Sequence, residues 1–490
     1  MCSDVPARYV LLSMLFFGSF NIPLLRYNLS IAIVSMVNTS STNNSSRLSY
    51  DSCSNSDNTT TENIEKFGSF EWNTVKQGLA LGCYFYGFVC TPILGPWAAK
   101  KVGFKIVVGA AVALSSILTI LIPYAAYGGF VYFVTLRIII GFCQGAVGPS
   151  SVAAFSAWIP FQHKTTAISI VMCGFFLGAF AALPISALIS EYVNWETVFY
   201  VTGSFSLLWS ILWFGLVYNS PEQHPRITKK EKKYLLRNTS IINENDKKEQ
   251  NIPWLRIMTS LPFLATVITH ISFDWTLTMT SLVLPTYLTN TLNLGILAAG
   301  ASTGAPWLMM MVITLIGERI SNVLKRKKTF SMITIRKGLV ATVTLPSAIF
   351  FILASYTGCN QQLTILLFFL IISLQGLHIP GTEANVFDLS NRYSSILFGI
   401  LVTTSHLTGI LAPQLTGVLL HNENSIGGWR TIFFITAGIN ILAAITFCIF
   451  ASDKEQPWSK EDTNTSVDNE AHDKPLTKRR NSSQQDDSTV

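Results

Sequence analysis

Along this chain the apolar residues come in long unbroken blocks. They show neither the alternation of a half-buried strand nor the single stripe of an amphipathic helix. About twelve blocks approach the roughly 20 residues that carry a helix across a bilayer. Their approximate cores are 12–36, 76–97, 105–126, 130–150, 166–189, 197–218, 261–288, 297–317, 336–356, 363–384, 395–420 and 430–451. Hydrocarbon offers backbone amides no partner, so such blocks fold as helices. The pattern therefore predicts an all-α membrane protein. Residues 1–218 form one six-helix bundle, 219–260 a basic cytoplasmic connection, 261–452 a second bundle, and 453–490 a polar, solvated tail. Six spans, a loop and six more spans make a pseudo-symmetric plan in which one bundle can rock against the other. The first block contains Arg26 and lacks a small-residue cleavage site, so it reads as a retained span and not as a signal peptide.

Composition agrees with this reading. Of 490 residues, 49% are hydrophobic and only 12% charged, whereas soluble domains carry about 25% charged residues. The net charge of +7 is divided among short loops between spans, which excludes a nucleic-acid-binding surface. Lys100, Lys101 and Lys105 follow the second block, the connection after the sixth is dense in Lys and Arg, and Arg319 to Lys337 follow the eighth. The intervening loops hold almost none, so both termini are expected in the cytoplasm. The polar loop 38–73 then lies on the opposite side, where its sequons at Asn38, Asn43, Asn44 and Asn58 are open to glycosylation.

The eight cysteines have no metal-ligand spacing, and the chain calls for no cofactor. Cys53 and Cys359 fall on the same non-cytoplasmic side. Free thiols are the expectation, because a bridge would tether halves that have to move. Two partner motifs stand outside the spans. Ser488-Thr489-Val490 fits β-addition to a PDZ domain. Glu231-Lys-Lys-Tyr-Leu235-Leu236 fits either an acidic dileucine sorting signal or an ordinary amphipathic helix. The spans contain no HExxH, paired-aspartate or GxSxG site, so an enzyme is not expected.

The most informative residues are two arginines inside apolar blocks, Arg26 and Arg137. A guanidinium keeps its proton in a membrane. Its burial costs several kcal/mol unless it faces a wet cavity or an anion. The pair is therefore read as the centre that holds a negatively charged passenger, the alternative being an ion pair with an acid such as Asp274. His270 and Asp274 are four residues apart on one helix face and could exchange a proton. Glu383 follows the break at Pro380-Gly381 and is a candidate cation or proton site, with His378 one turn earlier. Asp388 and Lys101 are candidate gate residues. A co-transported H+ or Na+ is the coupling expected. A potential- or chloride-driven exchanger, and a non-transporting receptor on the same scaffold, are the other readings.

Several segments resemble one family. They are Leu25-Arg26-Tyr27-Asn28-Leu29-Ser30, Gly82-Cys-Tyr-Phe-Tyr86-Gly87, Trp195-Glu196 with Phe199-Tyr200, Asn385-x-x-Asp388 with Arg392-Tyr393, and Gln456-Pro457-Trp458. From about Arg26 to Trp458 the chain resembles the anion–cation symporter family of the major facilitator superfamily, which holds sialin, the vesicular glutamate transporters and the type I sodium–phosphate cotransporters. The resemblance implies two six-helix bundles around a central site for an organic anion or phosphate. It also places Tyr86, Trp275 and Asn385 at positions that could line that site. The chain departs from the pattern of sialin and the glutamate transporters in span four, where Ile140 and Gln144 replace two acids beside Arg137. Leu81, Phe273 and Val152 replace other family His or Arg residues. These departures leave glutamate specificity and sialin-type proton coupling open.

Overall fold

The computed structural model describes residues 6–38, 68–92, 94–160, 163–238, 252–327, 330–390, 393–422 and 426–459. Asn43, Asn44, Asn58, Cys53, Ser488, Thr489 and Val490 lie outside the described residues. The first half contains α1 (Ala7–Met36), α2 (Thr74–Phe88), α3 (Leu94–Val102), α4 (Phe104–Gly128), α5 (Phe130–Gly145), α6 (Val147–Trp158), α7 (Lys164–Tyr192) and α8 (Trp195–Leu216). The connection supplies α9 (Lys229–Asn238) and α10 (Trp254–Met258). The second half starts with α11 (Leu261–Thr278), which runs on through a π turn (Met279–Val283), α12 (Leu284–Thr286) and a second π turn (Tyr287–Thr291). It continues with α13 (Ile296–Lys327), α14 (Met332–Ala354) and α15 (Gln361–Leu374). After a 3-10 turn and the π turn Ile379–Glu383 come α16 (Ala384–Leu389), α17 (Ser394–Ser405), α18 (Thr408–Asn422) and α19 (Ile426–Phe450).

Ten helical segments among the described residues are long and apolar enough to cross a membrane. The two remaining predicted spans are the interrupted ones, α2 with α3 and α11 with α12. The first is broken after Phe88, and the second carries His270, Asp274 and several threonines that lower its hydropathy. Span ten runs further than its apolar core, to Leu389, so Asp388 sits on a helix and not in the following loop. Polar residues end these helices where they should. Asn73, Asn194, Ser331 and Asn360 each accept a hydrogen bond from the backbone three residues on. Among the described residues the one isolated β-bridge joins Val37 to Phe70, with Asn38 N donating to Phe70 O and Phe70 N to Met36 O, both at 2.9 Å. The two ends of the predicted glycosylated loop are thereby pinned together.

The halves meet along two helix pairs, α2 with α18 and α7 with α13. At the end where α1 finishes and α2 begins, Thr74 Oγ1 donates to Gly417 O at 3.0 Å. A Cβ at Gly78 would stand 2.4 Å from Pro413 O, so only glycine allows this approach. At the same end Ala187 and Leu183 press against α13 at Gly300. An aromatic cluster of Phe70, Trp72, Tyr127, Phe130, Phe133 and Trp195 seals the first half there.

Cys359 is disulfide-bonded, and its partner lies outside the described residues. This corrects the expectation of free thiols at that position. The expectation assumed that any bridge must join moving parts, whereas Cys359 lies in the short connection between α14 and α15, at one end of the bundle. The other described cysteines, Cys83, Cys90, Cys143, Cys173 and Cys448, are free.

At the opposite end, α9 docks onto the first half. Glu231 accepts from the backbone amides of Ala7 at 3.0 Å and Arg8 at 3.2 Å, so its carboxylate caps the start of α1. Leu235 is fully buried in the first-half core. The acid and one leucine of the dileucine pattern are thus engaged inside the protein, which favours the plain amphipathic-helix reading. Glu231→Ala should lower stability by about 1 kcal/mol, the usual worth of a cap at a helix N-terminus. Thermal unfolding of the detergent-solubilised protein would read this as a midpoint lowered by about 1–2 °C. An unmoved midpoint would show that the cap contributes nothing.

Candidate anion site between the two helical halves

Proline at position 23 lies inside α1, where it removes one backbone donor without ending the helix. Three residues on, Arg26 is 6% exposed. Its guanidinium carbon lies 5.1 Å from the ring centroid of Tyr84, 5.2 Å from Phe85 and 4.8 Å from Phe88, all on α2. A cation so close to ring faces is attracted by their quadrupoles, more strongly where water is absent. Arg137 on α5 is 1% exposed. It spreads its fork over α1, donating from Nη1 to Leu25 O and from Nη2 to Arg26 O, each at 3.3 Å. Its carbon is also 5.6 Å from the Tyr84 ring.

Tyr84 is thus shared by both arginines, and its hydroxyl donates to Gln144 Oε1 at 2.7 Å. Gln144, which replaces a family acid, keeps the acceptor and loses the charge. The approach of α2 to α5 depends on Gly141, where a Cβ would fall 1.8 Å from Tyr84 O. No carboxylate among the described residues forms an ion pair with Arg26 or Arg137, and the Nε of each has no hydrogen-bond partner. The alternative of an internal pair with Asp274 is not realised. Asp274 Oδ2 instead lies 3.1 Å from Nδ1 of His406, in the turn between α17 and α18. The two arginines also differ. Arg137 is braced on the α1 backbone, while Arg26 lies flat against aromatic rings.

The second half faces them with titratable groups. The His406 ring stacks on Phe88 at 4.6 Å and 9°, so Phe88 touches both Arg26 and His406. His270 is buried, four residues before Asp274, but its ring sits against His378 at 5.3 Å and Phe273 at 5.6 Å. Phe273 itself stacks on His378 at 4.1 Å. Sharing a helix face therefore does not make His270 the partner of Asp274 in this structure. Glu383 is half-buried at the end of its π turn. Arg336 Nη1 donates to the Pro380 carbonyl at 2.9 Å, and Arg336 also pairs with Asp388.

The other candidates are distributed around this centre. Tyr86 is 40% exposed, and its hydroxyl accepts from Gln414 across the two halves. Trp275 Nε1 donates to Thr436 Oγ1 at 3.1 Å and ties α11 to α19 within the core. Asn385 is buried, donates to Thr266 Oγ1 at 3.3 Å, and leaves its own oxygen unpartnered. Lys101 is exposed, with its ammonium 3.9 Å from the ring of Trp97. No cluster of three metal-ligating side chains occurs among the described residues.

Three participants were missed in the sequence. His406 is a lone titratable residue inside an apolar block, the same signal that singled out Arg26. Arg336 was grouped with the loop charges, yet it is 4% exposed. Phe88 carried no signal, since an aromatic in an apolar block is most often packing.

Comparison with known proteins agrees with this architecture. The Major Facilitator Superfamily profile matches residues 15–339. Sialin from Homo sapiens is 32% identical over 456 residues, covering 93% of this chain and 91% of that protein. Vesicular glutamate transporter 2 from Bos taurus is 29% identical over 474 residues, covering 94% of this chain and 76% of that protein. A crystal structure of a bacterial homolog to the human lysosomal transporter Spinster superposes with a TM-score of 0.67 at 13% identity, covering 93% of this chain and all of that one, which supports the fold alone. The chain is a multi-pass membrane transporter and not an enzyme; it belongs to the major facilitator superfamily, within the anion–cation symporter family that includes sialin and the vesicular glutamate transporters.

Proposed function

We propose that this transporter carries an anion by alternating access, with the passenger's negative charge held at Arg26 and Arg137. One observation carries the reading: two guanidinium groups are buried between membrane helices with no carboxylate partner among the described residues. Such an arrangement is costly when empty and relieved by an anion, whose oxygens suit a planar fork. Arg26 is the group placed to meet the passenger. Arg137 holds α1 in position behind it and adds to the field.

Inorganic phosphate, a sialate, an acidic amino acid and urate all present the required charge. The basic loops support a reading with both termini in the cytoplasm. On that reading the end where α1 finishes and α2 begins is the non-cytoplasmic one. Coupling to protons or sodium is the favoured drive. A potential- or chloride-driven exchanger is the second reading, favoured by the loss of both span-four acids at Ile140 and Gln144.

Arg137→Ala should abolish uptake of labelled anions into proteoliposomes, with glycosylation and membrane delivery in cells unchanged. Undiminished uptake would remove the central argument. Arg137→Lys keeps the charge but offers one nitrogen where the planar fork offers two, and its initial rate should fall at least about tenfold. A rate equal to that of the native protein would mean that the fork is dispensable. The orientation is checked separately. An N-glycan-removing enzyme should lower the apparent mass of the cell-expressed protein, and joint Asn→Gln replacement at Asn38, Asn43, Asn44 and Asn58 should abolish that shift.

A further inference from the structure

The first half holds permanent positive charge at Arg26 and Arg137, so a proton-coupled cycle needs a side chain near them that can gain and lose a proton. Among the described residues the interface between the halves contains one imidazole–carboxylate contact, His406 with Asp274 at 3.1 Å, and it joins the turn after α17 to α11. His406 Nδ1 lies 2.9 Å from Val402 O, an acceptor, so this nitrogen carries a hydrogen and Nε2 is the one that gains or loses a proton. Asp274 Oδ2 faces this N–H at 3.1 Å, and a half-buried carboxylate is stabilised by positive charge on the ring beside it. Both side chains retain some exposure, 16% for His406 and 15% for Asp274, which gives a proton a route in. His270 and His378, the imidazoles packed on the same helix, lack that access, because they are buried at 4% and 1%, His378 stacked on Phe273 and His270 tilted against it.

The surroundings of His406 contain both signs of charge. Arg26 on α1 and Arg137 on α5 are cationic. Tyr84 on α2 is a buried phenol. His270 shares α11 with Asp274, while His378 and Glu383 flank the π turn of the second half. Arg26 and His406 touch the same Phe88 ring, at 4.8 and 4.6 Å. An imidazolium at His406 and the Arg26 guanidinium are therefore like charges across one aromatic side chain. An anion resting on Arg26 removes that repulsion.

We propose that His406, held beside Asp274, takes up and releases the coupling proton, and that the passenger anion on Arg26 and the proton on His406 promote each other's binding across Phe88. The proposal rests on the anion-transport reading above. It selects a proton over Na+, since a hard alkali cation needs several oxygen ligands and the group beside Asp274 is an imidazole. Binding linkage is reciprocal, so anion binding draws a proton from solution and an inward proton gradient draws the anion in.

The test uses the full-length protein in liposomes. Labelled inorganic phosphate, N-acetylneuraminate, glutamate and urate serve as probes, and pH, sodium and voltage gradients are imposed one at a time. For a probe that moves, an inward proton gradient should drive accumulation by the native chain. His406→Gln and Asp274→Asn should each lose at least about tenfold of that accumulation, while probe-for-probe exchange at equal pH falls by no more than about threefold. The exchange arm also shows that each variant is folded. In weakly buffered detergent solution, adding the probe should make the native protein take up protons and the His406→Gln protein take up none. Accumulation by His406→Gln equal to native would overturn the proposal. So would native accumulation driven by sodium or voltage but not by pH, or equal loss of exchange and accumulation in both variants. Failure of the anion-site reading has a separate signature, which is native-like exchange by Arg26→Ala.

Discussion

A guanidinium that cannot discard its proton, placed among membrane helices without a carboxylate partner among the described residues, is the constraint on which the rest of this structure depends. Arg26 and Arg137 are both nearly inaccessible, and a charge in that position is tolerated only with compensation. The protein compensates with weak partners. Arg137 takes two backbone carbonyls of α1 that already serve the helix, and Arg26 takes the faces of three aromatic rings. Neither interaction cancels a unit charge. Carbonyl dipoles and ring quadrupoles lower the cost of holding the cation and leave its field unspent, which a site for a transient anion requires. A carboxylate in place of Gln144 would add a negative charge to the arginine pair. Here the amide oxygen takes only the Tyr84 hydroxyl.

This compensation also explains why α1, α2 and α5 form a unit. Arg137 joins α5 to α1, Gly141 lets α5 meet α2 at Tyr84, and Tyr84 places a ring beside both arginines. The site is therefore largely a property of the first half. Phe88 carries its influence across the interface to His406. Because that contact is a ring stack and not a hydrogen bond, it can part without stranding a polar group. An interface that separates in each cycle is better built from such contacts, and the glycine-lined approach of α2 to α18 is of the same kind.

Much of this was legible in the sequence. Block length and block polarity are enough to give the helical class and two six-span halves, because hydrocarbon leaves the backbone so few options. The arginines stood out because a charge inside an apolar block has no bland explanation. What the sequence hid was pairing. Asp274 was placed with His270 because residues four apart share a face, yet the ring of His270 turns to Phe273 and His378, and the partner comes from α17, more than 130 positions away. Arg336 was hidden for a related reason. It lies next to a run of loop charges, and only the folded chain shows that it leaves that run to donate to the Pro380 carbonyl and pair with Asp388. Local spacing reads a helix face; it does not read which face of which helix comes to meet it.

The two halves hold charge of different kinds, and this difference has a mechanical consequence. The first half contributes permanent positive charge in Arg26 and Arg137. The second contributes groups that can change charge in His406, Asp274 and Glu383. When the permanent cation has no passenger, a proton on His406 would repel it and an ionised Asp274 would attract it, so the empty, deprotonated interface is drawn together around Arg26. A passenger alone would add a negative charge facing Asp274. A proton on His406 cancels the charge of Asp274 and so removes the attraction that holds the empty interface closed, and of the protonated states the loaded one gains the binding energy of its ligands. The group that changes charge in such a cycle lies across the interface from Arg26, in the turn between α17 and α18.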